Sequence, residues 1–343
     1  MVSQFPLDPM HLVDLGTVKR FFEFVTSKGN LNTRMSPSQR NLFDALIIEF
    51  QAFFPTEFAR HLRSLALSSK WKAVEWRYLL NYIGPIVFAR VLKDEVYKCV
   101  LLLHVSIFIL NSDVLMRNYL DLAQACYLEN FVFYSAAIFD PIFVTYNIHS
   151  LLHLVSEARL YGNLISFGAY PFENELRHIR RLVKTSRKAL QQISKRLAER
   201  HRFKCSRKEK PVRGFIGLHD NGPGDELVNV VRQFKKYESH NYMLGIDQPD
   251  NCVVFRNGQI GLLHNIVECE NEEGSTFHVL ARVFGVIGNL YVYPVDSSLL
   301  GIQVVSDLSR HYAIFNWGDI KHKCVLLPHH NAHVCFPLLH LAA

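Results

Sequence analysis

AYPFENELRHIRRLVKTSRKALQQISKRL, from Ala169 to Leu197, joins an aromatic run to a long basic pattern. Leu176, Ile179, Val183, Leu190, Ile193 and Leu197 recur at helical spacing and form one apolar stripe among Lys and Arg. That pattern predicts a helix with one face in a core and one in water. Its length predicts a kink or a division into two helices. Glu173 and Glu175 sit at its start, where the helix dipole alone favours carboxylates. By the i, i+4 relation Glu175 goes with Ile179, nearer the buried side, and Glu173 goes with Arg177. Periodicity does not select either acid for a further role.

Upstream, apolar residues repeat every three to four positions in one segment after another. Met10 to Val25, Leu42 to Phe54, Thr56 to Leu67, Trp71 to Tyr82, Val87 to Leu92, Asp94 to Leu110, Ser112 to Phe133 and Asn147 to Tyr161 all read as helices. Pro55 and Gly84-Pro85 are expected to interrupt them, and Ser112-Asp113 offers a cap. SKGNLNTRMSPSQR reads as a polar loop. Downstream of Leu218 the pattern changes to short β-like runs split by turns, among them NCVVFRNGQIGLLHNIV and TFHVLARVFG, with Asn257-Gly258 as a hairpin turn. A compact helical unit followed by a small mostly-β barrel or sandwich is the expectation, giving an α+β chain.

Formal charge is +7 over 343 residues, and it is unevenly placed. Arg177 to Arg213 holds 15 Lys or Arg against two acids, a net +13, so the remainder nets −6. A field of that kind favours an acidic polymer or an anionic surface; the plainer alternative is a solvated helix and charged linker. Arg177, Arg180, Arg181, Lys184, Arg187, Lys188, Lys195 and Arg196 offer phosphate contacts. Lys204 to Lys210, KCSRKEK, has the composition of a nuclear import signal.

Seven cysteines, odd in number and without a CxxC pair, read as reduced thiols in an intracellular protein, with no zinc site. The first residues carry acids and no basic n-region, so no signal peptide is expected. The most apolar window, Cys99 to Leu110, has 12 residues, where a membrane span needs about 20. GxGxxG, P-loop, GxSxG and HExxH motifs are absent. Asp8 stands before the first helix, either as an N-cap or as a carboxylate for a divalent metal. His149 and His153 share a helix face and read as a structural pair packed on the core.

FPLDPMHLVDLGTVKRFF, WKAVEWRYLLNYIGPIVF, NIHSLLHL followed by PFEN, and the closing HKCVLLPHHNAHVCFPLLH resemble the C-terminal half of CACTA-type (En/Spm-like) transposases, in particular the transposase-domain proteins of animal genomes. The resemblance runs over nearly the whole chain. It implies an RNase H-like core with a DDE set of acids, interrupted by a helical insertion. On that basis residues 1–29 are a remnant of the core and 30–145 the insertion. Residues 146–200 return to the core with the long basic helix, 201–213 are a basic linker, and 214–343 form the β domain. Asp8, in LDPMH, falls at the second Asp, and Glu173, in PFEN, at the terminal Glu; the resemblance, not geometry, selects Glu173 over Glu175. Both would bind Mg2+ or Mn2+ in the intact parent, whose reaction is DNA strand cleavage and transfer. The chain starts just before the second Asp. A truncated or domesticated fragment, inactive alone, is therefore expected, with DNA, a protein partner or a missing N-terminal half as partners, no membrane, and a nuclear location. The alternative is a non-catalytic nucleic-acid or chromatin-binding module.

Overall fold

Helices come first in this chain, in a computed structural model that describes residues 5–204, 214–224, 227, 229–272 and 274–339. Met10–Val18, Lys19–Glu23 (α1) and Phe24–Lys28 run on as one helix, π-wound in its first and last stretches. In the first of these Thr17 Oγ1 donates to Leu12 O at 3.0 Å, a reach of five residues that suits the wider winding. Gly16 lets this helix approach a later one closely. A Cβ there would stand 2.5 Å from Asn147 Nδ2.

Helix α2 (Pro37–Phe50) begins inside the stretch expected to be a loop. The Ser36 side chain accepts from Gln39 N, the Gln39 side chain accepts from Ser36 N, and Pro37 takes the first helical position. SPSQ is thus a helix start. Thr56 to Leu67, expected to be helical, is irregular, with a 3₁₀ turn over Leu65–Lys70 beginning near its end. Gly84-Pro85 does not end its helix either. The segments α3 (Ala73–Tyr78), Leu79–Ile83 and α4 (Gly84–Val91) are continuous, with the middle one π-wound. Proline in an α-helix loses a bond and clashes with the carbonyl four residues back, and the wider winding relieves both. Gly84 is needed at this crowded point, since a Cβ would lie 2.5 Å from Leu79 O.

Helix α5 (Asp94–Leu110) is buried from Cys99 to Leu110 and forms the axis of the helical part. Helix α6 (Asp113–Leu122), capped by the Ser112 side chain, continues through a π-wound stretch into α7 (Glu129–Phe139). Helix α8 (Tyr146–Tyr161) stops at Gly162, which takes φ +89°. The short α9 (Leu164–Phe167) leads into the basic stretch, which is two helices, α10 (Tyr170–Arg180) and α11 (Ala189–Lys204). Lys188 takes φ +54° just before α11. The apolar stripe expected to face a core does not. Leu190 is 81% exposed, Leu176 and Leu197 are exposed, and Ile179, Val183 and Ile193 are only half-buried. Beyond Tyr170, which packs beside Asp14, the residues of α10 lie open, and only Leu182, in the turn after it, is buried. The helix also runs to Lys204, past the expected start of the linker, and residues 205–213 lie outside the described part.

Eleven strands follow among the described residues, and every pairing is antiparallel. They are β1 (Gly214–His219), β2 (Val230–Glu238), β3 (Met243–Gly245), β4 (Cys252–Phe255), β5 (Ile260–Asn271) and β6 (Gly274–Val283), then β7 (Gly285–Gly288), β8 (Gln303–Ser306), β9 (Ala313–Asn316), β10 (Ile320–His329) and β11 (Ala332–Pro337). The main path is β1-β2-β5-β4-β10-β11-β8-β7, with β3 on β2 and β6 joining β5 to β9. Asn257-Gly258 turns β4 into β5, with Gly258 at φ +87°.

The chain is therefore α+β, with no strand in residues 5–204. Its two parts share one apolar core, because Val325, Leu327, Val334 and Phe336 of the sheet belong to the same buried cluster as Phe21, Trp76 and Leu103. Polar groups cross the same boundary. Lys323 Nζ, fully buried, donates to Glu57 Oε2 at 2.7 Å, Asp250 Oδ1 at 2.6 Å and Met243 O at 2.6 Å. Asp250 also accepts from Thr56 N at 2.9 Å and Thr56 Oγ1 at 2.6 Å. Thr56 and Glu57 are irregular because their polar groups are spent on the sheet rather than on a helix. His104 Nδ1 donates to Leu80 O, so the neutral ring accepts from Tyr291 OH at Nε2, each at 2.9 Å. Burial lowers the His104 pKa to about 4, which keeps the ring neutral.

Candidate functional site

Asp8 is an N-cap that works on two helices. Its carboxylate accepts from Met10 N at 3.2 Å, His11 N at 3.1 Å and the His11 ring, all on the helix it precedes. It also accepts from Ala169 N at 2.7 Å, at the mouth of α10. Glu173 lies one turn further on, exposed, its N–H donating to Ala169 O. The fold thus places the Asp8 carboxylate against the start of the helix that carries Glu173. Glu175 is equally exposed, so the buried side expected for it does not exist.

Do these residues fit a divalent metal? Both Asp8 oxygens are engaged by N–H donors, and no group of three or more His, Cys, Asp or Glu side chains could hold an ion among the described residues. Mg2+ wants hard oxygens with free lone pairs and near-octahedral geometry. The donor set as it stands does not fit Mg2+ or Mn2+.

Asp8→Ala should cost about 1–2 kcal/mol, because it leaves the starts of two helices without their acceptor. Glu173→Gln should change stability by no more than about 0.5 kcal/mol. Chemical denaturation of both variants checks this pair. Equal effects would remove the capping role.

Sequence reading missed the polar centre beside this junction. Asp14 is 5% exposed, on the first helix, and accepts from Tyr170 OH at 2.7 Å. Arg77, on α3, lies with its guanidinium 5.4 Å from the Tyr170 ring centroid. Burial raises the Asp14 pKa to about 7, against the attraction of Arg77 and the Tyr170 hydrogen bond, and with a smaller push from Asp8. Burial and the Asp14 charge hold Tyr170 well above the usual phenol range, so it stays a donor. A signal was present. Asp14 stands four residues after Met10 and four before Val18, an acid on an inward helical position.

The other proposed contacts are spread over α10, the following turn and α11. Arg177, Arg180, Arg181, Lys184, Arg187, Lys188 and Lys195 are exposed. Arg196 is half-buried and donates from Nη1 to Leu182 O. No ion pair engages any of the eight among the described residues. Of the KCSRKEK stretch, all but Lys204 falls outside the described part.

The histidine pair is not packed on a core. His149 and His153 are both exposed, with ring centroids 5.6 Å apart, because the buried face of α8 is made by Ile148, Leu151, Leu154 and Val155. Cys99, Cys252, Cys269, Cys324 and Cys335 are free and buried. Cys252, Cys324 and Cys335, on three different strands, share one buried apolar cluster, a grouping that their spacing along the chain does not show. No helix among the described residues is long and apolar enough to cross a membrane.

No curated protein and no solved structure matches the chain. Residues 218–338 match a family described as a domain of unknown function, DUF8592. That match begins inside β1 and ends just past β11, so what the chain shares with the family is its sheet, while the Asp8 junction and the basic helices lie outside the match.

Proposed function

We propose that this chain is a transposase-derived nucleic-acid-binding protein that holds DNA by its phosphate backbone and does not cleave it alone. The observation that carries this reading is the set of cations on α10, the turn after it and α11, seven of the eight exposed and none ion-paired among the described residues. Surface cations free of partners release counterions from DNA at little desolvation cost. The resemblance to CACTA transposases supplies the origin. It makes the parent an RNase H-like, Mg2+- or Mn2+-dependent strand-transfer enzyme with Asp8 and Glu173 among its acids, and a nuclear location goes with it. The capping bonds of Asp8 favour the non-cleaving role for this chain.

The test is DNA binding by fluorescence anisotropy across a salt series, with the parent and a variant in which Arg180, Arg181, Lys184, Arg187 and Lys188 are all changed to Gln. The parent should bind with a steep salt dependence. The variant should lose affinity, and its slope should fall by up to about 4–5, near 0.9 for each phosphate contact removed. A folded parent that fails to bind at low salt would sink DNA binding.

One observation favours a second reading, that these helices dock on a protein. Phe172 is 71% exposed, and Leu176 on the same helix and Leu190 and Leu197 on α11 are exposed too. Exposed apolar groups mark an interaction surface where they join into one patch of more than a few hundred Å². In that case the five-fold Gln variant would bind DNA as the parent does.

A further inference from the structure

A cleft of about 110 Å³ opens beside Asp14, in the helical part, with no residue of α11 in its lining. A water takes a share of about 30 Å³ in the liquid, so the space suits a small molecule. Most of its wall is apolar, with Val13, Ile107 and Leu164 contributing. Arg77 stands in that wall, only 9% exposed. Its Nη2 is buried and has no hydrogen-bond partner among the described residues. A buried guanidinium nitrogen without an acceptor is costly, and native proteins keep such groups where something completes them.

Asp14 does not complete it, since its carboxylate accepts from Tyr170 OH and makes no hydrogen bond with Arg77 Nη2. Asn111, buried in the same wall, has no side-chain hydrogen bond among the described residues. Helix α10 starts at the rim, where Gly168, Tyr170 and Pro171 line the cleft, and its first N–H, at Ala169, is held by Asp8. Arg77 and Asn111 are thus two cleft-wall side chains whose donors meet no acceptor among the described residues.

We propose that this cleft binds a short aliphatic monocarboxylate, its carboxylate on Arg77 and Asn111 and its tail against Val13, Ile107 and Leu164. The planar guanidinium fork matches a planar carboxylate in two parallel bonds. The apolar wall disfavours a phosphate, whose second charge and extra oxygens would find no donors there. Asp14 keeps its proton to about pH 7 because it is buried, so below that pH it does not repel the ligand. The inference does not depend on DNA binding.

Propionate methyl broadening in proton NMR, with the full chain at pH 6, reads occupancy directly. The parent should broaden the signal. Arg77→Gln should weaken binding about tenfold or more, as expected for losing a charge-assisted pair. Ile165→Trp, which fills the mouth of the cleft without touching Arg77, should abolish broadening even if Arg77→Gln fails to fold. The five-fold Gln variant of the basic helices should bind propionate as the parent does. Broadening that survives Ile165→Trp in a folded protein overturns the site. Displacement by inorganic phosphate as effective as by butyrate overturns the carboxylate.

Discussion

Lys323→Met should destabilise the protein by about 3–5 kcal/mol, the cost of stranding buried carboxylates without their cation. Lys323 is fully buried, and Glu57 and Asp250 each keep only 9% of their side chains in solvent. Removing the ammonium leaves two facing acids and an unpaired Met243 carbonyl. Burial raises the Asp250 pKa, yet the bonds from Lys323 and Thr56 outweigh it and hold the carboxyl below its usual range. The triple change Lys323→Met, Glu57→Gln, Asp250→Asn should recover part of the loss, since the pair is costly mainly when broken from one side. Urea midpoints measured by tryptophan emission settle it. A loss under about 1 kcal/mol for Lys323→Met would mean that water reaches the acids and the network carries little.

Asp14→Asn should stabilise the protein in alkaline solution and leave it unchanged in acid. The folded pKa, about 7, lies above the reference value of 3.8, and burial is the main cause. Between those values the unfolded chain has lost the proton and the folded one keeps it, so stability falls as pH rises through this window and is level above about 7. The ceiling is about 4 kcal/mol, at about 1.36 kcal/mol per unit. Asparagine has no proton to lose, and its carbonyl can still accept from Tyr170 OH. The gap between Asp14→Asn and parent should therefore open from about pH 4 and be full by pH 8. Parallel stability curves across that range would show that Asp14 ionises as freely in the fold as outside it. A residue that costs stability at neutral pH and lines a cleft fits a site kept for use rather than for folding.

Helical periodicity was legible where one apolar face repeats, as in α8 with Ile148, Leu151, Leu154 and Val155, and α5 was legible as an unbroken apolar run too long for a strand. The switch to strands was legible for the same reason, together with the Asn257-Gly258 turn. What failed was local. Gly84-Pro85 carries the usual stop signal, yet π winding absorbs it. Ser36 and Gln39 make a capping box hidden in a run of polar residues. The stripe on α10 and α11 has the periodicity of a buried helix, and periodicity cannot tell whether a partner surface lies within the same chain. For the site, the basic surface and the cap at Asp8 could be read from residue types. Arg77, Asn111 and Asp14 could not be joined, since they come together only through packing of helices far apart in sequence.

The core shared by helices and sheet has an evolutionary consequence. Residues 218–338 match the family, but Val325, Leu327 and Phe336 are covered by helices that lie outside the match. A recombination that grafted this stretch alone onto another gene would inherit a bare apolar face and a lysine without its Glu57 partner. Lineages that keep the sheet must therefore carry these helices with it or recruit another surface of the same shape, and the junction near residue 213 is a poor place for shuffling.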